Sequence, residues 1–226
     1  MQLLPDWVTP DQLTLLAFLS AVGGFCFYIF AFQNLNLLWF VNICLVVHWF
    51  ADGLDGNLAR YRNRQRPNYG YYIDHALDTA TAVLFLGGLE ASALTSSSAW
   101  GWVLAFMLLS MVHVFLKTKV TGEFHFSIQK VGPTEARLLL IFVNTIIIFI
   151  GNPQFIFSNF TKLLPATIEN QIYLNGGYAV VPLTLFDILG WIAVGALMWT
   201  LIPEIIKTAV MLDKRDRSNW HEKLSN

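Results

Sequence analysis

The sequence predicts an all-α, polytopic integral membrane protein: one bundle of six transmembrane helices, with both termini in the cytoplasm. Three observations predict it. The chain is 55% hydrophobic and only 13% charged, with a mean hydropathy of +0.53, an apolar balance outside the usual range of soluble domains. Its apolar residues fall into blocks long enough to cross about 30 Å of hydrocarbon, which takes about 20 helical residues each. Its lysines and arginines gather at alternate junctions between those blocks. A length of 226 residues would allow one or two soluble domains, but the blocks make residues 1–226 a single transmembrane domain.

Taken in order, the N-terminal LLPDWVTPDQ has neither the basic n-region nor the small-residue cleavage site of a signal peptide, so the first apolar block is expected to be retained. Trp7 and the prolines around it suggest an interfacial segment. Leu13–Phe32 carries no charge and is the clearest span, and Gln33 and Asn34 form a tight hairpin. The second span runs from about Leu35 to Ala51, with Asn36, Asn42 and His48 as its strongly polar members. It then projects past the bilayer, because DGLDGNLARYR has no proline and its glycines weaken a helix without ending it. Pro67 and Asn68 mark the turn. Gly70 opens the third helix, which carries Asp74 and Asp78 inward before the apolar run Ala80–Leu89. A serine turn at Ser96–Ser98 precedes the fourth span, about Trp100–Leu116. A mixed loop leads to the fifth, about Leu138–Ile150. Asn152–Tyr178 is too interrupted for a clean span and reads as a long connection with room for an interfacial helix. The sixth span, roughly Val180–Ile206, ends in a charged tail over about 207–226.

Orientation follows from the cations. Arg60, Arg62, Arg64 and Arg66 follow span two; Lys117, Lys119, Lys130 and Arg137 follow span four; Lys207, Lys214, Arg215, Arg217 and Lys223 follow span six; Lys162 falls on the opposite side. The positive-inside rule makes the first three groups cytoplasmic. Cys26 and Cys44 lie inside apolar blocks without metal-ligand spacing and carry no redox argument.

The charge anomaly lies in WFADGLDGNLARYRNRQRPNYGYYIDHALDT, Trp49–Thr79. Residues three or four apart on a helix share a face. Asp52 and Asp55 therefore pair on helix two, Asp74 and Asp78 on helix three, and a short connection makes these helices antiparallel neighbours whose pairs converge. Oxygen ligands in such number suit a hard cation, Mg²⁺, Mn²⁺ or Ca²⁺. A paired metal site could clamp the attacking and leaving oxygens of a displacement at phosphorus. Gly56, Ala59 and Gly70 leave room for a ligand near the backbone, and Arg60 can take a carboxylate or phosphate bidentately. Ordinary juxtamembrane charge would account for any one of these aspartates. It does not account for the set, since Asp74 and Asp78 sit where the helix enters the membrane and an ionisable group is functional by default.

At these residues the chain resembles the CDP-alcohol phosphotransferase (CDP-alcohol phosphatidyltransferase) family, whose signature is D-x-x-D-G-x-x-A-R, eight or nine residues, then G-x-x-x-D-x-x-x-D. Here it is Asp52, Asp55, Gly56, Ala59, Arg60, nine residues, then Gly70, Asp74 and Asp78, without departure over 52–78. The resemblance implies a membrane transferase of phospholipid biosynthesis. It moves a phospho-alcohol or phosphatidyl group from a CDP-linked donor to a lipid or small-alcohol acceptor hydroxyl and releases CMP. It further implies Mg²⁺ or Mn²⁺, as two ions, held by Asp52, Asp55 and Asp74, with Asp78 as general base and metal neighbour. The nucleotide would be bordered by Asp52, Gly56, Ala59, Arg60 and Gly70.

Between spans four and five, TKVTGEFHF and GPTEAR faintly resemble the corresponding loop of choline and ethanolamine phosphotransferases. That resemblance favours headgroup transfer from a CDP-alcohol to diacylglycerol or a similar lipid. The alternative is phosphatidyl transfer from CDP-diacylglycerol to glycerol phosphate, inositol phosphate or serine. Lys117, Lys119, His125, Lys130, Glu135 and Arg137 are the candidate acceptor pocket; lysines meeting anionic headgroups are the plainer reading. His48 and His113 read as polar bundle contacts, His75 as pointing off the acidic face, and Glu90 and Asp187 as interfacial. Asn159–Thr161 is a glycosylation sequon. Gly23, Gly24, Gly87, Gly88, Gly190 and Gly195 read as close helix-packing points, and a homodimer could form through such a face. Membrane lipids are expected partners and nucleic acid is not. The expected location is a bacterial inner membrane or the endoplasmic reticulum. The rival from another class, a cation transporter or channel, calls for acids distributed through the membrane depth, whereas these cluster at one end.

Overall fold

A computed structural model describes residues 4–122, 133–155, 173–175, 178–180 and 182–225. Its helices are α1 (Pro10–Phe30), α2 (Leu37–Tyr61), α3 (Pro67–Ala91), α4 (Ala99–Thr121), α5 (Pro133–Ile150) and α6 (Leu185–Ser225). Two short antiparallel pairs lie between α5 and α6: β1 (Gln154–Phe155) with β4 (Leu183–Thr184), and β2 (Tyr173–Asn175) with β3 (Tyr178–Val180). These strands, rather than helix, are what the described part of the Asn152–Tyr178 connection forms. The sequon and Lys162 lie outside the described residues, as do His125 and Lys130.

Local chemistry sets the helix ends. Thr9 caps α1 through a capping box: its hydroxyl accepts from the Gln12 N–H while the Gln12 side chain accepts from the Thr9 N–H, and Pro10 follows at the first helical position. Past the end of α2, Asn63 takes a left-handed φ of 54°, a conformation that asparagine tolerates better than most residues. The expected turn at Pro67 and Asn68 shifts to the residues before them. Pro67 is itself the first residue of α3, where its missing N–H costs nothing. Gly122 closes α4 at φ 76°. The charged tail continues the sixth helix: α6 stays helical across Pro203 to Ser225, and its 41 residues span about 60 Å, twice the hydrocarbon thickness.

Four helices are long and apolar enough to cross a membrane among the described residues: α1, α2, α4 and the Leu185–Arg217 part of α6. Large apolar side chains such as Phe50 (59% exposed), Phe149 (76%), Ile192 (63%) and Trp199 (82%) face outward, as a bilayer-embedded surface requires. In α3 only the half from Ala80 onward is apolar.

α1 packs along both α2 and α3, which make little backbone contact with each other; α5 lies on α2, and α4 joins α3 to α6. The expectation that α2 and α3 are packed neighbours is therefore corrected: α1 bridges them. Its adjacent glycines permit this. A Cβ at Gly23 would lie 3.3 Å from Cys44 Sγ of α2, and one at Gly24 would collide with the Phe85 ring of α3. Gly88 and Gly190 are also close-packing points, at 2.9 Å from Phe25 Cα and 2.7 Å from Ala99 Cβ, whereas Gly87 and Gly195 meet nothing within 4 Å.

Two buried polar knots tie the bundle. Asn144 of α5 donates to Asn42 Oδ1 of α2 at 2.9 Å and lies 3.2 Å from the Tyr28 hydroxyl of α1, while Asn42 donates to Thr145 Oγ1 at 3.2 Å. Such interhelical hydrogen bonds join helices where lipid supplies no hydrophobic drive. Asp187 is fully buried within the bundle. Its carboxylate accepts from the Ser96, Ser97 and Thr184 N–H groups and the Ser97 and Thr184 hydroxyls, clasping the α3–α4 turn to the start of α6. Glu90 accepts from the Gly101 N–H at 3.0 Å.

Candidate active site

The wedge that α1 opens between α2 and α3 is a cleft of about 260 Å³, counting the space open to solvent. Asp52 and Asp55 line it from α2, Asp74 and Asp78 from α3, and Thr14 from α1. Helical periodicity turns each aspartate pair to one face, and the shared packing of both helices on α1 brings the two pairs together. The α1 wall continues with Ala17 and Phe18; His48 and Thr81 complete the lining.

Each carboxylate has its own surroundings. Asp55 accepts from the Thr14 hydroxyl at Oδ2, 2.6 Å, and from the Gly56 N–H at Oδ1, 2.5 Å. Asp52 accepts from Arg137 Nη2 at 3.1 Å, so α5 brings a cation to the cleft. Asp74 is half exposed, 3.3 Å from His75 Nδ1. Donor atoms of Asp74, His75 and Asp78 all lie within 4.8 Å of one another. Four carboxylates converging at one cleft repel one another, and one guanidinium offsets part of that repulsion. The donor set is oxygen-rich with one imidazole, which suits a hard divalent cation.

The other expected residues divide. Gly56 and Gly70 are not required by the protein's own packing, since a Cβ at Gly70 would meet nothing within 4 Å and one at Gly56 only the Arg60 guanidinium at 3.8 Å; Gly53 is as open as Gly70. Ala59 is half-buried. The exposed Arg60 donates to Asn57 Oδ1 at 2.8 Å, along its own helix. In the expected acceptor set, Lys117 pairs with Glu204 of α6 at 2.7 Å, while Lys119 and Glu135 are exposed. Arg137 is the member that contacts a cleft carboxylate among the described residues.

Some participants escaped sequence reasoning. Thr14 carries no motif of its own, although the Thr9-to-Gln12 capping pattern marks where α1 starts and so where Thr14 lies. His75 lies beside the acidic face rather than off it, with its ring 4.3 Å from that of Tyr71 and 5.8 Å from that of Phe115. His48 is buried as expected of a bundle contact, with its ring 5.6 Å from Phe85, yet it also borders the cleft. Arg62 and Arg66, read as topology signals, also make tertiary contacts. Arg62 donates to the backbone carbonyls of Leu4, Pro5, Asp6 and Val8, and Arg66 pairs with Asp11.

A family model described as CDP-alcohol phosphatidyltransferase matches residues 7–202. The match takes in every helix that lines the cleft and ends within α6. No curated protein matches the chain.

Proposed function

The chain belongs to the CDP-alcohol phosphatidyltransferase family, and from that membership we propose that it is a metal-dependent phosphotransferase of phospholipid synthesis acting at the cytoplasmic membrane face. Membership itself makes it a membrane transferase that moves a phosphatidyl or phospho-alcohol group from a CDP-linked donor to an alcohol or lipid acceptor. The observation that carries the finer reading is the convergence of Asp52, Asp55, Asp74 and Asp78 on one cleft.

In this reading Asp52, Asp55 and Asp74 hold Mg²⁺ or Mn²⁺, two ions, with Asp78 as a neighbour. When bound, the metal neutralises the diphosphate and the charge that builds on the leaving oxygen. Gly56, Ala59, Arg60 and Gly70 border the nucleotide, in keeping with the open space above Gly70 and with Gly56 facing only the Arg60 guanidinium. Asp78 takes the proton of the acceptor hydroxyl. The acceptor oxygen forms a bond to the phosphorus bearing the alcohol, and the bond from that phosphorus to the bridging oxygen breaks, so that CMP departs with the electron pair. A lipid reaches the cleft laterally from the bilayer and the nucleotide from the cytoplasm.

The subtype we favour is transfer of a headgroup from a CDP-alcohol to diacylglycerol or a similar lipid, on the loop resemblance between α4 and α5. The commitment of Lys117 to Glu204 agrees with it, because it leaves fewer cations for a phosphorylated acceptor. Six spans, with both termini cytoplasmic, complete the reading.

Purified protein in liposomes given labelled CMP and Mg²⁺ should run in reverse and form a CDP-alcohol from the matching lipid. Asp78→Asn and Asp55→Asn should each abolish this with the fold intact, and chelation of the metal should do the same reversibly. Forward activity that survives both substitutions would sink the mechanism. Products formed from CDP-choline, CDP-ethanolamine and CDP-diacylglycerol, identified by mass spectrometry, decide the subtype.

A further inference from the structure

We propose that Thr14 of α1 is a positioning residue of this site, fixing the plane of the Asp55 carboxylate through its hydroxyl. The inference rests on the metal reading above. Asp55 has both oxygens engaged from different directions: Oδ1 by the Gly56 N–H at 2.5 Å, within its own helix, and Oδ2 by the Thr14 hydroxyl at 2.6 Å, from another helix. A backbone N–H on the next residue restrains one end of the carboxylate. The second point, from α1, stops it from rotating.

The Thr14 hydroxyl also lies 3.1 Å from the Pro10 carbonyl, the usual intrahelical acceptor of a helical threonine. It has one proton to give. The carboxylate is nearer and charged, so the proton goes to Asp55, and charge-assisted bonds of this length are the stronger kind. A carboxylate that accepts a hydrogen bond keeps lone pairs for a cation, and such outer partners orient metal ligands.

The first turns of α1 are anchored for this task. The Thr9–Gln12 capping box fixes where the helix begins. Asp11 pairs with Arg66 at the entrance to α3, and Arg62 holds the carbonyls of the preceding segment against the end of α2. Thr14 therefore sits on a wall tied to both aspartate-bearing helices, and its contact with Asp55 spans 41 residues of sequence.

The test compares the wild-type protein with Thr14→Val, which keeps the shape and removes the donor, and Thr14→Ser, which keeps the donor. Mn²⁺ binding is measured by electron paramagnetic resonance on substrate-free protein in detergent, alongside transferase activity. Thr14→Val should weaken Mn²⁺ binding by about 10- to 100-fold, the range seen when the outer partner of a metal ligand is lost. Thr14→Ser should restore most of it. Unchanged Mn²⁺ affinity in Thr14→Val, or Thr14→Ser binding as poorly as Thr14→Val, would overturn the inference. Absence of Mn²⁺ binding in the wild type would overturn the metal reading itself, and that is read without either variant.

Discussion

Asp52 and Asp55 lie three residues apart, yet their partners could hardly differ more. Thr14 holds Asp55 with a neutral hydroxyl, while Asp52 is paired with the guanidinium of Arg137. In the proposed metal site this guanidinium would compete with the cation for the Asp52 carboxylate. When a substrate phosphate arrives, that arginine can take it bidentately. Arg137→Met should therefore raise the KM for the phosphate-bearing substrate by about tenfold or more, since a hydrogen bond to a charged group is worth about 1.5–3 kcal/mol. Mn²⁺ should bind the substrate-free variant at least as tightly as the wild type. Weaker Mn²⁺ binding would show that Arg137 holds Asp52 in place instead. At this scale the sequence is informative about which residues carry charge and uninformative about their partners. The four aspartates are legible because their spacing is local and helical; the Arg137 contact bridges 85 residues and leaves no periodic trace. Asp187 teaches the same lesson. Asp187 stands out in the sequence only as a charge near the start of an apolar span, and only the fold brings Ser96, Ser97 and Thr184 to its carboxylate.

At the level of elements, α1 is the part whose role changed most. Its sequence reads as a plain lipid-spanning helix, and its structure makes it the wedge that sets the distance between α2 and α3. The glycine pair at 23 and 24 faces one helix each, and a side chain at Gly24 would meet the Phe85 ring. The α1–α2–α5 packing depends on the Tyr28–Asn144–Asn42 knot. Asn144→Leu should leave the Tyr28 hydroxyl and Asn42 Oδ1 without their Asn144 partner in a buried setting, while the Asn42 amide N–H keeps its bond to Thr145. The expected loss is about 1–2 kcal/mol of bundle stability, read as a lower thermal midpoint in detergent micelles. A midpoint equal to that of the wild type would show that the network adds no stability. Asn42 stands out in the sequence as a polar residue in a span, whereas its pairing with Asn144 does not, because two helices distant in the chain must first be packed.

For the whole molecule, the proposed topology is directly measurable. In a cysteine-free background made by replacing Cys26 and Cys44, single cysteines at Arg64, Lys119 and Arg215 should react with an impermeant maleimide from the cytoplasmic side, and one at Lys162 from the other. Labelling of Arg64 and Arg215 from opposite faces would refute the six-span arrangement. The length of α6 bears on this too, for a helix of 41 residues that crosses once must emerge well beyond the bilayer. By itself the sequence determined the membrane class, the approximate helices, the family and the aspartates that carry the proposed chemistry. Each of these follows from composition, from local periodicity or from motif spacing, all of which act over short stretches of chain. The tertiary structure alone decided that α1 separates the two aspartate helices, that Thr14 and Arg137 reach Asp55 and Asp52, and that Asp187 is a buried clasp between the α3–α4 turn and the start of α6. Those outcomes depend on which side chains meet across helix faces. That is settled by close packing and hydrogen-bond satisfaction over the whole bundle, and no window of sequence contains it.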